Sequence, residues 1–124
     1  MGEQVRYGLI GTGMMGVEHI SNLAITPGAV VTALADPVAS SLDTAKVALG
    51  AAGDTVAAFA SSADLASSGL VDAVIVVSPN HTHRQVLGPL FNAGLHILCE
   101  KPLATTIADA RWIVDRAAQS PGVF

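Results

Sequence analysis

Cysteine is nearly absent. Cys99 stands alone among 124 residues, which excludes an internal disulfide, and no Cys/His spacing suggests a structural zinc site. Aromatic residues are also scarce, at 4%, so a core has to be built from Ala, Val, Leu and Ile. Charged residues make up only 13% against 51% hydrophobic, the reverse of the balance in disordered chains. Cationic patches are missing: Arg6, Lys46, Arg84, Lys101, Arg111 and Arg116 are scattered, and ten acidic residues bring the net charge to −4. Such a chain offers no stripe to neutralise a phosphate backbone, which argues against a nucleic-acid partner. A membrane-length run is lacking too, although mean hydropathy is +0.53. The longest stretch, Ile20 to Ala35, is interrupted by Asn22 and Pro27-Gly28 and falls short of the ~20 apolar residues of a span. The opening Met1-Gly2 has no apolar signal segment behind it, and Arg6 stands where a myristoylation signal wants Ser or Thr. The expectation is a soluble, cytoplasmic chain of one domain, long enough to bury roughly two-thirds of its unfolded surface.

What is present is an alternation of short apolar runs with helical patterns. Val5 to Ile10 reads as a buried strand, followed by a helix to about Ile25 with Val17, Ile20 and Ala24 on one side and Pro27-Gly28 as its stop. Val30 to Ala35 is a second strand, and Ser40 with Asp43 resembles a capping box for a helix carrying Leu42, Ala45 and Leu49. Thr55 to Phe59 suggests a short edge strand, and Ser61 with Asp64 a one- or two-turn helix. Asp72 to Val77 is the clearest strand. Thr82 with Gln85 caps a helix bearing Val86, Leu87, Leu90 and Phe91, closed by Gly94 and expected to kink at Pro89. His96 to Cys99 is the fifth strand, and a final helix from about Thr106 to Gln119 carries Ile107, Ala110, Arg111, Val114, Ala117 and Ala118 along one side. Strands uncharged through their middles call for a parallel sheet covered on both faces, and right-handed crossovers then favour a doubly wound Rossmann topology with strand order 3-2-1-4-5.

Gly11, Gly13 and Gly16, with Thr12, Met14 and Met15 between them, form G-T-G-M-M-G between the first strand and the first helix. A bare G-x-G-x-x-G is weak evidence, but its position here is the informative part. The first glycine allows the tight turn, the second leaves room for a pyrophosphate, and the third lets helix and strand approach. The helix N-terminus then offers free N–H groups and a positive dipole end to an anion. Asp36, twenty residues beyond Gly16 at the end of the second strand, is placed to accept hydrogen bonds from both adenosine ribose hydroxyls. It would repel a 2′-phosphate, so NAD is expected over NADP.

Two further clusters fall at strand ends: Ser78-Pro79-Asn80 with His83, and Glu100-Lys101-Pro102. Together with the glycine motif they resemble the glucose–fructose oxidoreductase/inositol dehydrogenase (Gfo/Idh/MocA) family, and the resemblance runs the whole chain. The opening glycines with His19, the Ala35-Asp36-Pro37 step, an S-P-N-x-x-H segment where the family more often has T-P-N-x-x-H, and above all E-K-P carry it. The resemblance implies that Asn80 and Glu100 lie near the nicotinamide ribose. It implies that Lys101 is the catalytic lysine beside the substrate carbon, stabilising charge on oxygen and sharing a proton. Pro102 biases Lys101 towards extended backbone, where Glu100 and Lys101 would point to opposite sides. His83 either touches cofactor or sits in the first helical turn; His19 reads as a packing or hydrogen-bonding residue and Cys99 as a small core residue. No metal site is expected.

The family pattern continues past Phe124 into a sixth strand, which Gly122-Val123-Phe124 would begin, and a substrate domain that usually adds a catalytic Asp and His. The expectation is therefore a cofactor-binding half that does not turn over alone, its small-molecule substrate being met only in a full-length enzyme. Its fifth strand would be an exposed edge inviting self-association into a homo-oligomer. Two other readings are a non-catalytic nucleotide-binding or redox-sensing module and a methyltransferase domain; Asp36 and E-K-P argue against the second.

Overall fold

The computed structural model describes residues 3–124, so the Met1-Gly2 opening lies outside the described residues. Five strands, β1 (Val5–Ile10), β2 (Ala29–Ala35), β3 (Ala57–Phe59), β4 (Ala73–Val76) and β5 (His96–Cys99), alternate with helices α1 (Met14–Ala24), α2 (Ala39–Ala48), α3 (Ser62–Ser67), α4 (His83–Asn92) and α5 (Ile107–Gln119). Short 3-10 turns occupy Gly50–Asp54 and Asn80–Thr82. The strands form one sheet in the order β3-β2-β1-β4-β5, and each neighbouring pair runs parallel. This is the doubly wound topology expected from the pattern of runs.

The strands alternate between two apolar clusters. Leu9, Leu34 and Ile75 face Ile20 and Ala45 of α1 and α2, whereas Ile10, Ala35, Val74 and Val76 face Leu65, Leu87, Leu90 and Ile113 of α3, α4 and α5. With a period of two, both sets are buried only because helices cover both faces, which is why no charge interrupts the strand middles.

Four local expectations are corrected. Ser40 does not cap α2: the helix starts one residue earlier, behind Val38, whose N–H donates to Asp36 Oδ1 at 2.8 Å. Ser40 therefore lies inside the first turn of α2, which has no side-chain cap. Thr82 precedes α4 but gives no side-chain cap, because its hydroxyl donates to Pro79 O at 2.6 Å within the 3-10 turn. In α1 the inner face uses Leu23 in place of Ala24. The stripe of α5 is rotated: Ile113 is fully buried while Ile107 and Val114 are 73% and 57% exposed. Trp112 packs against the core beside Ile113, with the guanidiniums of Arg84 and Arg116 lying 4.9 and 5.6 Å from its ring centroid. Ser61 opens α3 as expected, its side chain accepting from the Asp64 amide, and Thr106 caps α5 in the same way, accepting from the Asp109 amide. Pro89 lies inside α4, which continues through it to Asn92.

The outer edge of β5 is also less open than expected. Ile97 N–H donates to Val123 O at 2.8 Å, and Val123 N–H donates to His96 Nδ1 at 3.0 Å. Gly122–Phe124 therefore lies alongside β5 without forming a regular sixth strand. Among the described residues no helix is long and apolar enough to cross a membrane.

Candidate functional site

A cavity of about 860 Å³ opens at the carboxyl ends of the strands, bounded by the β1–α1 turn, the end of β2 and the loops after β4 and β5. That is the size of a cofactor crevice and the place where open parallel sheets bind ligands. Gly11, Gly13, Met14 and Met15 line one wall and Asp36 the next; Ser78, Pro79, Asn80 and His83 face them, with Glu100 and Lys101 beyond. Eleven of the thirteen candidate residues are thus brought together; Thr12 and Gly16 do not line the cavity.

The three glycines are required for different reasons. At Gly11, φ is +92° and a Cβ would stand 2.6 Å from Ser78 N, so the turn from strand to helix fits only without a side chain. A Cβ at Gly16 would overlap Gly11 O, so its role is the close approach of α1 to β1. Gly13 is the odd one: it has ordinary extended backbone and nothing within 4 Å of an added Cβ. No packing contact requires a missing side chain there. Gly13 is also the N-cap of α1, which has no side-chain cap and no acidic residue in its first turn. The amides of that turn therefore face the cavity without an internal acceptor, an arrangement suited to an anion.

Thr12 is only 1% exposed and serves Asp36 instead of the cavity. Asp36 Oδ2 accepts from Thr12 N–H at 2.8 Å and from Thr12 Oγ1 at 3.1 Å, while Oδ1 accepts from Val38 N–H. The carboxylate is held at the mouth of the crevice by three donors from the two loops that flank it.

At the other end, Glu100 bridges two elements. Oε1 lies 2.9 Å from His19 Nε2 on α1, and Oε2 accepts from Lys101 N–H at 3.3 Å. The His19 contact, first among the causes, draws the Glu100 carboxyl below its ordinary value. His19 is therefore a hydrogen-bonding residue, as expected, but its partner 81 positions away is not foreseeable from spacing. Lys101 is exposed and enters no ion pair among the described residues. Glu100 and Lys101 border the same cavity, and the carboxylate is engaged by His19 and not by the ammonium.

His83 is buried, at 1% exposure, with Nδ1 3.0 Å from Leu103 O and Nε2 3.0 Å from Ser78 O. Cys99 Sγ lies 3.4 Å from the same Nδ1. Burial, with a smaller contribution from Glu100, pushes the Cys99 thiol up to about 11. The chain's one tryptophan stands apart from this site, packed on Phe91 and the arginines of α4 and α5. No group of three or more His, Cys, Asp or Glu able to hold a metal occurs among the described residues.

Comparison with known proteins agrees with the geometry. The sequence model of an oxidoreductase family with an NAD-binding Rossmann fold (GFO_IDH_MocA) matches residues 5–124. Inositol 2-dehydrogenase 1 of Saccharopolyspora erythraea is 41% identical over 111 residues, covering 89% of this chain and 32% of that protein. The rhizopine catabolism protein MocA of Rhizobium meliloti is 35% identical over 112 residues, covering 90% of this chain and 33% of the relative. Among solved structures, scyllo-inositol dehydrogenase from Lactobacillus casei with bound NAD(H) and scyllo-inositol superposes with a TM-score of 0.86 at 30% identity, over 98% of this chain and 35% of that one. The chain spans about a third of the length of the curated relatives it matches.

Proposed function

We propose, from the premise that this chain belongs to the Gfo/Idh/MocA oxidoreductases as their NAD-binding domain, that it holds NAD in preference to NADP for hydride exchange with a polyol or sugar hydroxyl. The observation that carries this reading is Gly13: a side chain is missing where no neighbouring atom needs the space, beside helix amides with no side-chain cap. Those amides and the turn of Gly11 to Gly16 would take the diphosphate. Asp36 would take the adenosine ribose and disfavour a 2′-phosphate, having no cationic side chain beside it at Pro37 or Val38. Asn80 and Glu100 would receive the nicotinamide ribose. The cofactor, when bound, supplies the hydride acceptor or donor. The chain's contribution to the reaction is Lys101, an ammonium at the cavity wall that can donate a hydrogen bond to a substrate oxygen and share its proton.

The chain spans about a third of the length of the curated relatives it matches, and the resemblance implies a catalytic Asp and His supplied by a substrate domain. Turnover therefore belongs to a complete enzyme and cofactor binding to this domain. Lys101 at the cavity wall favours the enzyme reading over a non-catalytic nucleotide-binding or redox-sensing module, to which that lysine is dispensable. Calorimetric titration with NAD+, NADP+ and S-adenosylmethionine tests the assignment, because Trp112 does not line the crevice and cannot report on it directly. NAD+ should bind the most tightly of the three; no saturable heat with NAD+ at millimolar concentration overturns the reading.

A further inference from the structure

We infer that His83 is a positioning residue, a buried tether that fixes the spacing of the two loops receiving the nicotinamide half of the cofactor. The inference rests on the dinucleotide reading above for its consequence, but on the geometry of the ring for its substance. The imidazole sits in the first turn of α4, between the loop after β4 and the loop after β5. Nε2 reaches the carbonyl of Ser78, the residue that opens Ser78-Pro79-Asn80, and Nδ1 reaches the carbonyl of Leu103, just past Glu100-Lys101-Pro102. Each contact is 3.0 Å, and the ring is 1% exposed. Donating to both carbonyls takes both ring protons. A neutral ring that donates to Ser78 O still joins the two sides, because Nδ1 then accepts from Cys99 Sγ at the end of β5.

β4 and β5 are paired only as far as Val76 and Cys99, so beyond that step the sheet no longer holds the two chains together. Glu100 N–H still donates to Val76 O; after it, the imidazole is the next link between the loops. Thr82 strengthens the β4 side: its proton goes to Pro79 O, and its Oγ1 lies 2.9 Å from Ser78 Oγ, close enough to accept from that hydroxyl. An apolar side chain of similar volume would fill the space but leave sequestered polar groups without their partner. Since Asn80 and Lys101 are both exposed, the buried tether beneath them is what holds their backbones at a set distance. The adenosine half of the crevice, built from Gly11–Gly16 and Asp36, makes no hydrogen bond to the ring.

Two variants, His83→Leu and His83→Gln, with circular dichroism to establish folding, test this. The readouts are affinity for ADP against NAD+, and backbone 15N relaxation of the free protein. His83→Leu should weaken NAD+ roughly tenfold, the worth of about one hydrogen-bond's stabilisation, while ADP stays within about twofold. Amides of Asn80 and Lys101 should gain mobility and those of Gly13 and Gly16 should not; His83→Gln, able to reach one carbonyl, should lie between. Equal losses for ADP and NAD+, or unchanged loop relaxation, would overturn the tether. If the wild type binds neither nucleotide, the dinucleotide reading fails while the relaxation data still judge the tether. If neither variant folds, the wild type decides: a slowly exchanging ring N–H of His83 is expected by NMR, and its absence refutes the bonds.

Discussion

Gly13→Ala separates what the fold needs from what a ligand needs. The residue has φ −74° and ψ −158°, backbone that alanine adopts freely, and an added Cβ meets nothing within 4 Å. Replacing glycine at a compatible position stabilises by ~0.4–1 kcal/mol through the unfolded chain. Losing glycine's preference for the N-cap costs a comparable amount, so net stability should change by under ~1 kcal/mol and Tm by a few degrees. Binding should change far more, because a methyl group at Gly13 would take up space in the turn where the diphosphate is proposed to lie. Losing one charge-assisted hydrogen bond of ~1.5–3 kcal/mol weakens affinity about 10- to 150-fold. Gly16→Ala is the contrast: its Cβ would overlap Gly11 O, forcing α1 away from β1 at a cost of ~1–3 kcal/mol or more. Thermal melts and NAD+ calorimetry on both variants decide the matter. Gly13→Ala binding like the wild type would refute the diphosphate seat, and Gly13→Ala melting as early as Gly16→Ala would refute the claim that the fold is indifferent there.

Other outcomes follow from the same geometry. Asp36→Ala should weaken NAD+ about tenfold and raise the NADP+/NAD+ affinity ratio; an unchanged ratio in calorimetry would remove Asp36 from cofactor selection. In a complete enzyme carrying this domain, Lys101→Met should abolish turnover and spare NAD+ binding, and normal steady-state rates would end its catalytic assignment. Arg6 hydrogen-bonds Asp72 and holds its carboxyl down to about 2 from 3.8. A depressed folded-state value means the pair's contribution is whole above 3.8 and fades as pH falls towards 2. Melts of Asp72→Asn should therefore lose less stability than the wild type across that acid window; an identical acid profile would dismiss the pair. Cys99, with its thiol near 11, should resist iodoacetamide at pH 8 in the folded protein and react readily in urea; fast alkylation without denaturant would contradict its burial.

The parts of this protein legible in the sequence are those written in adjacent residues. Ala73–Val76 is buried at every position, and a parallel strand covered by helices leaves that uncharged signature without reference to any partner. Element order alone puts the glycines, Asp36, Ser78-Pro79-Asn80 and Glu100-Lys101 at strand ends, and the cavity lies there. Choices made across distance leave no such trace. Thr12 is drawn inward by Asp36, 24 positions on; Glu100 is claimed by His19, 81 positions back; His83 is occupied by carbonyls on both sides. Helix ends are misread for a related reason. Ser40 and Thr82 have capping chemistry, but α2 already begins at Ala39, which puts Ser40 inside its first turn, and the Thr82 hydroxyl is bound to Pro79 O.

The two carboxylates of the site differ in how much acceptor capacity they have left, and that bears on the size of the Asp36 effect. An ionised carboxylate offers about four lone-pair sites. Glu100 spends two, on His19 and the Lys101 amide, and retains one on each oxygen for an incoming hydroxyl. Asp36 spends three, on Thr12 N–H, Thr12 Oγ1 and Val38 N–H. One ribose hydroxyl can therefore be accepted as the site stands. A second requires the Thr12 hydroxyl to leave Oδ2, and at 3.1 Å it is the longest of the three contacts. That hydroxyl is buried, so releasing it without a new acceptor costs ~1–3 kcal/mol, about what the second ribose bond returns. The net gain from Asp36 is then close to that of one charged hydrogen bond, which puts its replacement by alanine near the lower end of the range of about 10- to 150-fold.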